Sequence, residues 1–109
     1  MQDDILRHKR GATFSFFGEI PESYADGAFA ACQLKSQVRD SDDNLVQNLT
    51  VEWDDPLTTR VMRITSEPGN TDLWPVGRLF WDVRFVYPDG TSMVSATISI
   101  LCEKNITHA

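Results

Sequence analysis

Arg78-Leu79-Phe80-Trp81-Asp82-Val83-Arg84-Phe85-Val86-Tyr87 is the stretch that decides the fold, entered through the corner Thr71-Asp72-Leu73-Trp74-Pro75 and Gly77 and closed by the turn Pro88-Asp89-Gly90. Leu79, Trp81, Val83 and Phe85 share one parity, while Arg78, Phe80, Asp82, Arg84 and Val86 share the other, which is the period-two signature of a half-buried strand. The second face is mixed. Phe80 and Val86 stand beside charges on the side that should be wet, so either a loop covers them or another protein does.

Working outward, turn signals at Arg10-Gly11, Pro21 to Gly27, Asp40 to Asn44, Asp54-Asp55-Pro56, Glu67 to Asn70 and Pro88-Asp89-Gly90 cut the chain into seven β-like runs. The first, Asp4 to Lys9, is short and charged, as an edge strand should be. The second, Ala12 to Ile20, puts Phe14, Phe16 and Ile20 on one face and Phe17 on the other. The third, Ala28 to Arg39, sets Cys32, Leu34, Ser36 and Val38 against Gln33, Lys35, Gln37 and Arg39. In the fourth, Leu45, Leu49, Val51 and Trp53 form the core set, and Gln47 breaks the pattern. The fifth, Arg60 to Thr65, buries Met62 and Ile64. The seventh, Thr91 to Glu103, offers Val94, Ala96, Ile98 and Ile100 against Ser95, Thr97 and Ser99. No window sustains a 3.6-residue period, so no helix longer than about one turn is expected. The expectation is an all-β, antiparallel, seven-stranded immunoglobulin-like β-sandwich occupying residues 1–109 as one domain, a length that suits a sandwich of ~100 residues.

Composition narrows the function classes. Sixteen acids against ten bases, a net charge of -6, argue against nucleic acid as a partner, since phosphate contacts need clustered Lys or Arg. The cluster Arg7-His8-Lys9-Arg10 reads as a charged edge strand. No apolar run approaches the ~20 residues of a membrane span, and Met1-Gln2-Asp3-Asp4 lacks the order of a signal peptide, so no membrane partner is expected and synthesis in a cytoplasm is. Cys32 and Cys102 are too few for a disulfide framework and lack metal spacing, which makes them buried reduced thiols. In immunoglobulin order the third and seventh strands flank the sixth about 9 to 10 Å apart, too far for a bridge between them.

Candidate sites are few. His8 and His108 have no partnering group at ligand spacing, and Asp40-Ser41-Asp42-Asp43-Asn44 opens like a calcium loop but has Leu45 in place of the turn glycine and Val51 in place of the bidentate glutamate. Nucleotide and nucleophile motifs are absent, so the expectation is no enzyme, no metal and no cofactor. Trp53, Trp74 and Tyr24 fall at strand ends or in loops, where a ring either stacks on a sugar or plugs the end of its own sandwich. Phe17, Phe80 and Val86 point away from the core defined by their neighbours. Clustered, they would form an apolar patch of the kind that marks a protein interface.

Several segments together resemble a small module of tailed bacteriophages and prophages: Arg10-Gly11-Ala12-Thr13-Phe14, Lys35-Ser36-Gln37-Val38-Arg39, Thr58-Thr59-Arg60-Val61-Met62, Leu73-Trp74-Pro75-Val76-Gly77, Trp81-Asp82-Val83-Arg84-Phe85 with Pro88-Asp89-Gly90, and Asn105-Ile106-Thr107-His108. Spanning nearly the whole chain, they are similar to the N-terminal β-sandwich module of phage baseplate upper proteins and to free-standing tail-associated proteins. Asn105 departs from the pattern, standing where an acidic residue is expected, with an effect expected on a local turn. The resemblance implies a non-enzymatic virion structural or assembly protein, in the tail, the baseplate or a head decoration. It would partner other phage structural proteins in a homo-oligomer or symmetric array. The alternative is a carbohydrate-binding or adhesion module using Trp53, Trp74 or Tyr24.

Overall fold

The computed structural model describes residues 5–67 and 71–107. Asp4 of the first run, residues 68–70 of the fifth turn signal, and His108 lie outside the described residues. Eight strands follow in chain order: β1 (Ile5–Lys9), β2 (Ser15–Glu19), β3 (Gln33–Asp40), β4 (Leu45–Trp53), β5 (Val61–Thr65), β6 (Gly77–Val86), β7 (Ser92–Val94) and β8 (Ile98–Glu103). No helix occurs among the described residues.

The strands join in the order β1-β8-β6-β3-β4-β5-β2, with β7 also on β6. β4 carries the sheet from one half into the other, because Leu49 and its neighbours pair with β3 while Thr50–Trp53 pair with β5. The two halves enclose the core between them as a half-barrel. β6 is the central strand, with β3 along one side and β7 then β8 along the other. The third and seventh runs do flank the sixth. Two features depart from a seven-stranded antiparallel sheet: β1 lies parallel to β8, from Ile5 beside Ser99 to Lys9 beside Glu103, and the seventh run is two strands.

Parity in β6 is realised: Leu79, Trp81, Val83 and Phe85 are buried, joined by Val38, Leu49, Met62, Ile64, Ile100 and Cys102 from the neighbouring strands. Burying a large side chain of this kind contributes about 1.5 to 3 kcal/mol against the entropy of ordering it. A ring system extends the core along its length. Phe14 contacts Trp74 and Trp81, Phe16 contacts Trp81, and Phe29 and Trp53 both contact Phe85 at the other end.

Three sequence expectations fail for local reasons. The third strand starts at Gln33 rather than Ala28, because residues 25–32 form successive turns, with Ala28 N bonded to Ala25 O, Ala30 N to Gly27 O and Cys32 N to Phe29 O, and these drop Phe29 into the core. In β4 a register shift opposite Val38 and Arg39 leaves Val46 as an extra residue. Such a bulge reverses parity, so Leu45 is exposed while Val46 packs against the core. The break between β7 and β8 acts likewise. Ser95 N donates to Val83 O (2.9 Å), Ser95 Oγ accepts from Val83 N (2.9 Å), and the register slips by one residue, which leaves Val94 and Ala96 exposed and turns Met93 and Ile98 towards the core.

Candidate functional site

The outward faces of the strands hold the three predicted contact residues, but not as one patch. Phe80 and Val86 both lie on the outer face of β6, six residues and therefore ~20 Å apart. Phe80 has Arg39 and Ser99 as its cross-strand neighbours and lines an open groove of about 630 Å3 with Lys35, Gln37, Arg39, Asp82 and Arg84. Val86 lines a smaller one of about 370 Å3 beside Gln33 and Tyr87. Both are half-buried by the side chains around them. Phe17 is four strand steps away in the sheet order, beyond the turn that β4 makes, and is 63% exposed.

The groove beside Phe80 is mixed in charge. Lys35 stands directly opposite Arg84, and Gln37 opposite Asp82. Arg39 is tied down, donating to Asp43 O (2.8 Å) and Gln37 Oε1 (2.9 Å), and Gln37 in turn donates to Asn48 Oδ1 (3.0 Å). Such a surface suits a polar partner with an apolar centre, not a single charged ligand.

The aromatic candidates separate as well. Trp74 is 2% exposed, in tilted ring contact with His8 and Phe14, and its Nε1 donates to Gln47 Oε1 (2.7 Å), so the ring is enclosed by the core and offers no sugar platform. Trp53 is half-buried on Phe85, and Tyr24, at the same end, leans on Phe29 (ring centroids 5.1 Å apart). The three do not form one binding face.

At Asp40–Asn44 the carboxylate of Asp40 accepts from Asp42 N (3.0 Å), Asn44 N (2.9 Å) and Asn44 Nδ2 (3.2 Å). Its acidity is increased, chiefly by the Asn44 backbone N–H. The acids of this hairpin serve their own turn, and among the described residues no group of three His, Cys, Asp or Glu side chains could hold a metal ion.

One further surface escaped parity reasoning because it is built from turns. Leu73 (96% exposed), Val76 and Ile106 (87%) project from the ends of the corner and the closing segment. Leu73 sits between a fully buried Thr71 and a buried Trp74. Gly11, at φ +98°, lets the two segments meet, since a Cβ there would lie 3.0 Å from Asp72 Oδ1 and 3.5 Å from Asn105 Nδ2. Asn105 accepts from Arg10 Nε (3.4 Å), which ties the closing segment to the end of β1, and donates to Thr107 O (2.8 Å), a bond within its own turn that an aspartate could not make. Three of the segments that carry the phage resemblance, at Arg10–Phe14, Leu73–Gly77 and Asn105–Thr107, therefore converge at one end of the molecule.

The features so far define an all-β module whose accessible apolar side chains are held outward by regular strands and tight turns. No protein-family model matches the chain, and no curated protein does. Among solved structures it is similar to a mutant of the SrpA adhesin from Streptococcus sanguinis, at 14% identity and a TM-score of 0.53, over 95% of this chain and 56% of that one. It is also similar to CopC from Methylosinus trichosporium OB3b, at 12% identity and a TM-score of 0.49, over 95% of this chain and 90% of that one. At these identities the likeness concerns the β fold alone.

Proposed function

We propose that this chain is a non-enzymatic structural or assembly protein of a tailed-bacteriophage virion, tail- or baseplate-associated or a head decoration, that works through contacts with neighbouring subunits. The observation that carries this reading is the outward parity of Phe17, Phe80 and Val86 on strands whose opposite faces already fill the core. None of the three belongs to the core cluster or packs against it, so their apolar surface is free to meet a partner's. The convergence of three phage-like segments at one end adds support. On the same reading the fold is an immunoglobulin-like sandwich, β3-β6-β8 corresponding to strands C, F and G and β2-β5-β4 to B, E and D, with β1 added beside β8. The protein is made in the host cytoplasm and ends in the particle.

An adhesion or carbohydrate-binding role is the second reading, favoured by Tyr24 and Trp53 bordering the same Phe29–Phe85 pair. One variant separates the two. Phe80→Glu should keep its circular dichroism and thermal midpoint yet fail to enter virions, while the purified wild-type chain shows no binding on a glycan array. Unfolding of Phe80→Glu would remove Phe80 as a contact residue, and absence of the polypeptide from purified virions would end the structural reading.

A further inference from the structure

We propose that the free edge of β2 is a homodimer seam, at which residues Ser15–Glu19 of two copies pair antiparallel about a two-fold axis through Phe17. This rests on the reading of outward apolar residues as contact surface and names the partner at one of them, a second copy of this chain.

The hydrogen-bonding phase of β2 is fixed at its two ends. Phe14 O accepts from Ser66 N (2.9 Å), and Ile20 N donates to Arg60 O (2.8 Å). Residues 14, 16, 18 and 20 therefore turn their main-chain groups towards β5, and Ser15, Phe17 and Glu19 turn theirs away. β2 is the last strand of the order, so among the described residues these three N–H and three C=O groups form a bare row. The register with β5 runs from Ser15 to Glu19 without a shift, so no bulge blunts the edge.

The two end strands of the order are treated differently. β1 shows Ile5, Arg7 and Lys9 to solvent, the cationic pattern that discourages strand addition, whereas β2 shows Ser15, Phe17 and Glu19 with no proline, lysine or arginine. A two-fold axis through Arg7 would set Arg7 against Arg7 of the other copy. Through Phe17 it sets ring beside ring and each Ser15 opposite Glu19, where the hydroxyl can donate to the carboxylate. The two Glu19 side chains then lie ~13 Å apart along the seam, so they do not oppose each other. All six bare N–H groups meet a C=O. Arg63, opposite Phe17 on β5, lies beside the joined rings on each side, where a guanidinium can cover a ring face.

A five-residue seam is small, which places the dimer among weak, concentration-dependent associations. Two copies of charge -6 repel each other, so added salt should strengthen the pairing. Sedimentation equilibrium on the full chain up to about 1 mM should show the mass rising towards twice that of the monomer, more so at higher salt. Phe17→Lys should abolish this with its thermal midpoint unchanged. In a Cys32→Ser background, mixing Ser15→Cys with Glu19→Cys under an oxidant should yield the mixed disulfide in clear excess over Ser15→Cys joined to itself. A monomer at every concentration, a dimer that survives Phe17→Lys, or like-with-like cross-links in excess would each overturn the seam. A monomer that still enters virions would overturn the seam alone, and a dimer absent from virions would overturn the structural reading alone.

Discussion

His8 faces inward from β1, where Thr71 Oγ1 is a three-way hub: it donates to Ala12 O (2.6 Å), accepts from Gly11 N (2.9 Å) and lies 2.8 Å from His8 Nε2. With its one proton committed to Ala12, the hydroxyl can only accept from the imidazole, so Nε2 carries a proton. Burial beside Trp74 and Phe14 lowers the His8 pKa below its ordinary 6.5, opposed in part by the hydrogen bond to the Ala12 backbone. The folded state thus binds this proton less readily than the unfolded chain, and stability gained above pH 6.5 is lost as the pH falls through the folded pKa. Urea unfolding of the wild type should show that decline below pH 6.5, and His8→Gln, which can still donate to Thr71, should show a shallower one. Identical pH slopes would remove His8 as the titrating group. Gln47 teaches a related lesson at the same end. Its place in the sequence looks like a broken pattern, yet it keeps inward parity and donates to Ser66 O (2.9 Å) while accepting from Trp74, so the polar residue answers a tryptophan 27 positions away.

Elements in this protein are shaped by the residues that interrupt them. Residues 20–31 form no strand; they are held by Arg60, which donates to Pro21 O (2.9 Å), to Tyr24 O and to Asp26 Oδ1 (2.6 Å). Gly27 closes this segment at φ +78°, its N donating to Thr58 O (2.8 Å), and a Cβ there would stand 3.0 Å from Leu57 O. Gly27→Ala should therefore cost about 1 to 3 kcal/mol from the left-handed backbone and the close carbonyl together, read as a lower denaturant midpoint at unchanged slope. An unchanged midpoint would mean that this turn is not built as described. The strands themselves were legible because alternation is a local property: β6 has a rigorous inside and outside, and β3 and β5 follow it. The bulge beside Val46 and the slip at Ser95 were not, since one extra residue leaves no mark on composition and is dictated by the partner strand.

For the whole molecule, the two cysteines test the sheet order. Cys32 precedes Gln33, which pairs with Val86, and Cys102 pairs with Gly77. They thus flank opposite ends of β6, ~30 Å apart along the strand, a wider separation than the two strand spacings that order alone implies and far beyond the ~7 Å limit for a bridge. Burial also raises the pKa of both thiols, holding them in the less reactive protonated form. Treatment with an oxidant should leave both thiols titratable after unfolding, by mass spectrometry of the alkylated chain. An intramolecular Cys32–Cys102 bridge would refute the order β3-β6-β8.

Period-two alternation set which side chains of each strand travel together, because a pleated backbone sends residues i and i+2 to one face whatever they meet there. That much, with the turn residues between, determined an all-β chain, its principal core residues and the outward stance of Phe17 and Phe80. Strand pairing in three dimensions was needed to set β1 parallel to β8, to make β4 serve both halves, to place Trp74 in the core, and to leave β2 at the end of the sheet with an edge that is bare among the described residues. Those outcomes depend on pairing between strands distant along the chain, where a shift of one residue exchanges inside for outside and no neighbouring residue records the choice.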